Sequence, residues 1–349
     1  MKPEMGSRIN EEGTLSLPRR PTSPWFLLAA LAGATWLLYE PSRILSKREI
    51  TLQVEDLPLA LGRPDPDEVG DLRYLGGIEV RSTDKGFSGF SGLMIDQVEP
   101  DLRIIAVSDQ GDRFGARLLM RDGRLSGMDS AVLEPLLDLN GRPLRIKQWS
   151  DAESMAQLPD GRVMVGFERR HRIWTYGPRL SGPAREFPTP AFLQQAPNNG
   201  GLESLASWPD GRVLAITERL RTKGSHFAAF LWRSGAWTDL EWQPSGSGFE
   251  PADAASLPNG DLLVLERHWS VSGPSSLVSR VVRVASSVVR PGATLSGRVI
   301  AELRAEVVSE NLEGLAVFSG PDGATHVLMM ADDFLGRPRT VVLLFSLSD

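Results

Sequence analysis

The chain has 349 residues, a formal net charge of -6, 41 % apolar residues, 34 glycines, 25 prolines and no cysteine. The acidic balance excludes a nucleic-acid surface, which needs a clustered basic stripe, and the lack of cysteine excludes disulfides, thiolate metal sites and cysteine nucleophiles. This much glycine and proline in an apolar chain describes an ordered, turn-rich molecule, either one large β domain or two average ones.

Residues 1–24 are polar, carry both charge signs and read as a disordered tail. Behind Arg19 and Arg20, Trp25 to Tyr39 form an uncharged apolar run of 15 residues. As a helix it spans about 22 Å, short of the ~30 Å hydrocarbon core but within the range of a signal sequence. Cleavage after Ala32-Gly33-Ala34 would make it a signal peptide and leave an apolar mature terminus, Trp36-Leu37-Leu38-Tyr39. Trp25, Trp36 and Tyr39 suit a membrane interface, so an uncleaved signal anchor is the favoured reading. Residues 40–50 then form a tether, and residues 51–349 a domain on the periplasmic face of the inner membrane. Cleavage would instead release that domain into the periplasm.

After the tether come short aliphatic runs, each the second strand of a hairpin: 103–108, 162–167, 212–217, 261–265 and 326–330. Ser130 to Leu139 reads as a brief helix or as an outer strand with a loop. Thr340 to Phe345 is a last strand that completes a blade begun near Ile50–Val54 or Leu72–Val80, as ring closure requires. Between the runs lie Asp160-Gly161, Asp210-Gly211, Asn259-Gly260 and Asp322-Gly323, with Pro100-Asp101 in the first unit. Asp-Gly and Asn-Gly between apolar strands signal two-residue hairpins with positive φ at both positions. Glu153, Glu203, Asp253 and Glu313 follow one another at 50, 50 and 60 residues, a period that suits four-stranded propeller blades. The expected fold is therefore all-β, a six-bladed β-propeller with an N-terminal membrane-anchor or signal helix.

Each turn is also the midpoint of a residue pair: Glu153/Glu168, Glu203/Glu218, Asp253/Glu266 and Glu313/Asp332, with Ser91/Asp109 in the first unit. Mirror symmetry predicts that each pair is directly opposed across its hairpin, where like charges destabilise a ladder and call for a cation, a ligand or an arginine network. All would gather on one rim of the central channel. Asp109, Glu153, Glu168, Glu203, Glu218, Glu266, Glu313 and Asp332 are the candidate metal ligands, and so oxygen-rich a set suits Ca²⁺. Arginines keep the same beat in Arg169-Arg170, Arg219 and Arg267, with Arg113 four residues after Asp109. Arg113, Arg170, Arg219 and Arg267 are candidates to neutralise charge in a phosphoester reaction, or else members of a structural network. The Glu313/Asp332 pair has no arginine beside it in sequence and has Asp333 as well, so it reads as the least neutralised. His171 and His268 are candidate general acids or bases, or ordinary hydrogen-bonding groups. No Gly-x-Ser-x-Gly elbow, His-Glu-x-x-His helix or P-loop is present. Tryptophans 149, 208, 232, 237, 242 and 269 lie near strand ends and are read as blade packing.

The sequence resembles the phytase-like family, described as having esterase-like activity of phytase. The resemblance is carried by Ser91-Gly92-Leu93, Ser108-Asp109-Gln110-Gly111-Asp112, Asp151-Ala152-Glu153-Ser154 and Gly166 to Ile173. It continues through Gly201-Leu202-Glu203-Ser204, Ile216-Thr217-Glu218, Asn311 to Ala316 and Asp332-Asp333-Phe334. It implies a Ca²⁺-supported propeller that hydrolyses a small-molecule ester or phosphoester. The fourth repeat departs from the pattern, with Pro251-Ala252-Asp253 where the others have glutamate. Alternatives are a non-catalytic propeller that binds a ligand or protein, and a lactonase-type metallohydrolase. For the anchor, N-terminal sequencing of the membrane fraction is expected to find residues 25–39 still attached. A mature start near Thr35 would contradict the uncleaved reading.

Overall fold

The computed structural model describes residues 46–60, 68–98, 101–222, 224–269, 277–304, 310–320, 323–332 and 339–348. All belong to the compact unit Ser42–Asp349. The Trp25–Tyr39 segment lies outside them, and among the described residues no helix is long and apolar enough to cross a membrane.

Five antiparallel blades make the ring, one fewer than the repeat length predicts. Their inner strands are Phe90–Val98, Ala152–Gln157, Leu202–Ser207, Glu250–Ser256 and Leu312–Ser319, and each touches the next, the last returning to the first. The sixth blade is missing because N-terminal chain is spent on neighbouring blades. Leu72–Arg81 pairs with the C-terminal strand Arg339–Leu347 and Gln53–Asp56 pairs outside it, so blade 5 is closed by strands from both ends of the domain, as expected. Arg48–Glu49 adds to the outer strand of blade 1, Arg124–Pro135, which also settles Ser130 to Leu139 largely as strand. The longer fourth repeat sends Thr294–Leu295 across to pair in parallel with blade 3.

The hairpin turns differ from the two-residue form. In blade 2, Leu158 N–H donates to Arg162 O and Gly161 N–H to Leu158 O, which encloses Pro159-Asp160-Gly161. Blades 3 and 4 repeat this around Pro209-Asp210-Gly211 and Pro258-Asn259-Gly260. The proline fixes a negative φ at the first loop position, so only the glycine takes the left-handed conformation, at +84°, +84° and +89°. The turn aspartates are used locally: Asp160 and Asp210 accept the backbone N–H of Arg162 and Arg212.

Five apolar clusters fill the five gaps between blades. The gap between blades 5 and 1 holds the Phe87, Phe90 and Phe114 rings, 5.1 to 5.3 Å apart. Side chains this deep stabilise the ring by about 1.5–3 kcal/mol each. At the turn end, the channel widens into a cavity of about 550 Å³ lined by all five inner strands, with Leu93, Met155, Leu205, Ala254 and Leu315 beside polar groups such as Gln157, Ser207 and Ser256. Asp253 joins three of those strands. Its carboxylate accepts the N–H of Ala254 at 2.8 Å, of Leu315 at 2.7 Å and of Leu93. Burial pushes its pKa well above the carboxylate range, against the pull of these donors. Asp253→Ala orphans buried N–H groups on three blades, so it is expected to cost about 3 kcal/mol. Urea unfolding should show a lower midpoint at constant slope, and an unchanged midpoint would contradict this role.

Candidate functional site

The rim opposite the cavity is built by a repeated irregularity. Every inner strand carries a β-bulge near its start, and in blades 2, 3 and 5 the extra residue is Glu153, Glu203 or Glu313. In blades 1 and 4 it is Gly92 or Ala252. A bulge leaves one residue unpaired and re-aims its side chain. The mirror pairs are consequently not opposed as predicted. Glu168 N–H donates to Asp151 O, Glu218 N–H to Gly201 O and Asp332 N–H to Asn311 O, while Glu266 faces Pro251.

Freed from the ladder, the three glutamates meet their neighbours from other blades. Ser91 Oγ lies 2.8 Å from Glu153 Oε2 and 3.1 Å from Glu313 Oε2. One hydroxyl proton satisfies one carboxylate at a time. Glu168, 1 % exposed, accepts N–H groups from Gly200 and Gly201. A Cβ on Gly201 would meet the His171 ring at 2.5 Å, so that approach requires glycine. Glu203 lies against Glu168, whose charge and side chain add to the rise that burial imposes on the Glu203 pKa. Desolvation raises the pKa of Glu153, Glu203 and Glu168. Asp151 adds to the rise at Glu153 and Glu218 to that at Glu203, whereas the Gly201 and Gly200 N–H groups pull Glu168 back.

Oxygens of Asp151, Glu153 and Glu168 lie within 4.8 Å of one another, close enough to share a cation. Asp151 is already bound by Arg169 and by Lys147, which also reaches Asp109 at 2.7 Å. Burial opposes the Lys147 charge, but Asp109 and Asp151 outweigh it and raise its pKa. Among the described residues, Glu153 and Glu168, the other two members, make no ion pair. All-oxygen donors crowded together, with cations on only one of the three, could hold a hard metal ion.

On the other side, Arg267 binds Glu313 and lies 2.9 Å from Glu218 and 3.0 Å from Asn311 Oδ1. Burial opposes its charge, but Glu218 and Glu203 outweigh it and raise its pKa, and Asp332 adds to this. Glu313 is thus not the least neutralised carboxylate, because its arginine arrives from blade 4 and not from its own repeat. Arg219 ion-pairs with Glu218 at 3.2 Å and Glu250 at 3.5 Å.

The remaining candidates lie elsewhere. Glu266 turns to blade 3, where Trp242 Nε1 donates to it at 2.9 Å along with Ser245. Arg113 pairs with Glu134 at 2.9 Å on the outer strands of blade 1. His171 sits behind the rim with Nε2 3.0 Å from Pro197 O, and burial lowers its pKa. The Nδ1 of His268 lies 2.9 Å from Gly248 O and its ring packs, tilted, against Phe249. Arg170 is exposed, with its guanidinium over the Trp149 ring. The sequence reading passed over Asp151, Lys147 and Arg169 as site residues. Asp151 ends the short helix just before the strand, two residues from the bulged Glu153, and Lys147 precedes Asp151 by four, the spacing of a helical ion pair.

Among solved structures, the chain is similar to the catalytic domain of a GH62 α-L-arabinofuranosidase from Coprinopsis cinerea, at 14 % identity over 87 % of this chain and 98 % of that one, with a TM-score of 0.47. It is also similar to a thermostable family-43 glycoside hydrolase (10 % identity, 74 % and 89 % covered, TM-score 0.44). A third is XC5397, a gluconolactonase from Xanthomonas campestris (11 % identity, 87 % and 99 % covered, TM-score 0.39). These likenesses are too distant to bear on activity. No curated protein matches the chain. Residues 85–333 match the phytase-like family, described as esterase-like activity of phytase, and the chain belongs to that family.

Proposed function

We propose that this propeller is a Ca²⁺-assisted hydrolase of a small-molecule ester or phosphoester, held at the periplasmic face of the inner membrane by residues 25–39. The observation that carries the reading is the Asp151–Glu153–Glu168 cluster, three carboxylates within 4.8 Å of one another at a channel mouth. These residues would hold the ion, which supplies Lewis-acid polarisation of the ester and a lowered pKa for water. The protein's own share is positional. The bulge aims Glu153 inward, the Gly200 and Gly201 N–H groups hold Glu168 in one rotamer, and Lys147 and Arg169 pin Asp151. Glu203, buried beside the cluster with its pKa raised by desolvation and by Glu218 and Glu168, would act as the general acid for the departing alcohol.

A second reading, a non-catalytic binding propeller, draws on Arg267. It already neutralises Glu218 and Glu313, so part of the rim is held together without any added ion.

Calcium is expected to raise the melting temperature, by up to about 2.7 kcal/mol of stabilisation at a hundred times its Kd. Glu153→Gln should abolish that gain, and Glu313→Gln should keep most of it because Glu313 is bound by Arg267. Equal loss in both variants, or no response to calcium in the wild type, would contradict the assigned cluster. Turnover of 4-nitrophenyl phosphate or 4-nitrophenyl acetate should require calcium and fall at least 100-fold in Glu203→Gln with calcium stabilisation retained. Calcium binding without turnover of any ester would favour the binding propeller.

A further inference from the structure

The channel mouth carries a polar-aromatic pair that neither the cluster nor the blade packing employs. Arg170 follows Glu168 by two residues and Trp149 precedes Asp151 by two, so both stand within about 7 Å of chain from the acidic cluster. The Arg170 guanidinium lies 4.1 Å from the Trp149 ring centroid, a cation–π stack. Among the described residues Arg170 makes no ion pair, whereas the other arginines just after a second-strand acid all have carboxylate partners: Arg169 with Asp151, Arg219 with Glu218, Arg267 with Glu218 and Glu313. Trp149 is 36 % exposed, and Ile146 beside it is 61 % exposed, an unusual apolar surface at a charged rim.

Arg172 holds the pair in place. Its guanidinium is packed between Phe167 and Trp174, 4.0 and 4.1 Å from their centroids. From there it donates to Arg170 O at 3.0 Å and to Trp149 O. One half-buried cation thus ties the backbone of the short helix Lys147–Ser150 to the backbone that follows Glu168. A guanidinium held over an indole ring by its π face still has N–H groups to offer an oxyanion in bidentate contact. Its orientation is set before a ligand arrives, which reduces the entropy lost on binding.

We propose that Arg170 and Trp149 form the substrate-binding subsite of this mouth, where Arg170 takes an oxyanion and Trp149 with Ile146 takes an aryl or alkyl group attached to it. The inference rests on the hydrolase reading for the word substrate, but the binding it asserts does not. It singles out Arg170 among the four arginines first considered, and it gives Trp149 a ligand role where the sequence suggested packing.

The test is titration calorimetry of the intact protein, in calcium, with phenylphosphonate and methylphosphonate, neither of which can be hydrolysed as an ester. Phenylphosphonate should bind at least tenfold more tightly than methylphosphonate. Arg170→Gln should weaken both by tenfold or more, and Trp149→Ala should remove the preference for phenyl. The melting temperature and its calcium response report that each variant is folded with its cluster intact. If Trp149→Ala unfolds, Trp149→Leu replaces it and should still lower the preference. No binding by the wild type, or binding unchanged in Arg170→Gln, overturns the subsite. Retained binding with no ester turned over would sink the hydrolase reading alone. Turnover with an unchanged KM in Arg170→Gln would sink the subsite alone.

Discussion

Carboxylates crowded at one mouth of a closed ring are the constraint on which this molecule depends. Five inner strands converge on a channel, and the family motif puts an acid at the start or partner end of nearly every one. Left in register, these acids would face each other across their own ladders, where nothing separates them. The bulge at each inner-strand start removes that conflict by turning Glu153, Glu203 and Glu313 away from their hairpins and toward other blades. Repulsion within a hairpin becomes contact between blades, through Ser91, Arg267 and Lys147. The site therefore exists only in the assembled ring.

The two ends of the channel divide the work. At the turn end, apolar inner-strand side chains and the Asp253 junction hold five blades together, with every hydrogen bond of Asp253 going to backbone. At the rim, buried acids with raised pKa values and one exposed stacked arginine sit on that support. Removing an acid from water is unfavourable, and the apolar clusters between blades offset it. Asp253 shows how similar positions diverge. The fourth repeat has proline and alanine before the acid, Ala252 becomes the bulge residue, and the carboxylate satisfies backbone donors on three strands instead of joining the rim.

Much of this was legible in the sequence. Apolar runs and glycine turns gave the blades, and Thr340 to Phe345 gave the closure through Leu72–Arg81. Division of length by period gave one blade too many, because strands from the N-terminus and the Thr294–Leu295 excursion extend existing blades and do not found a new one. Opposition of the acidic pairs failed for two local reasons. Proline before Asp-Gly or Asn-Gly imposes a three-residue turn, and a bulge follows up the strand, so mirror spacing no longer predicts facing. Arg267 and Lys147 act on acids in other repeats, and no sequence distance reports such a contact. Of the acidic cluster, Glu153 and Glu168 stand on the beat of the repeat, while Asp151 shows in the sequence only as a second acid two residues before Glu153.

The most direct test of the central claim is a crystal structure grown with calcium and phased on its anomalous signal. The account predicts one ion bound by Asp151, Glu153 and Glu168, with oxygen distances of about 2.3–2.6 Å. An ion held instead by Glu218, Glu313 and Asp332, or a rim with no ion at saturating calcium, would contradict it.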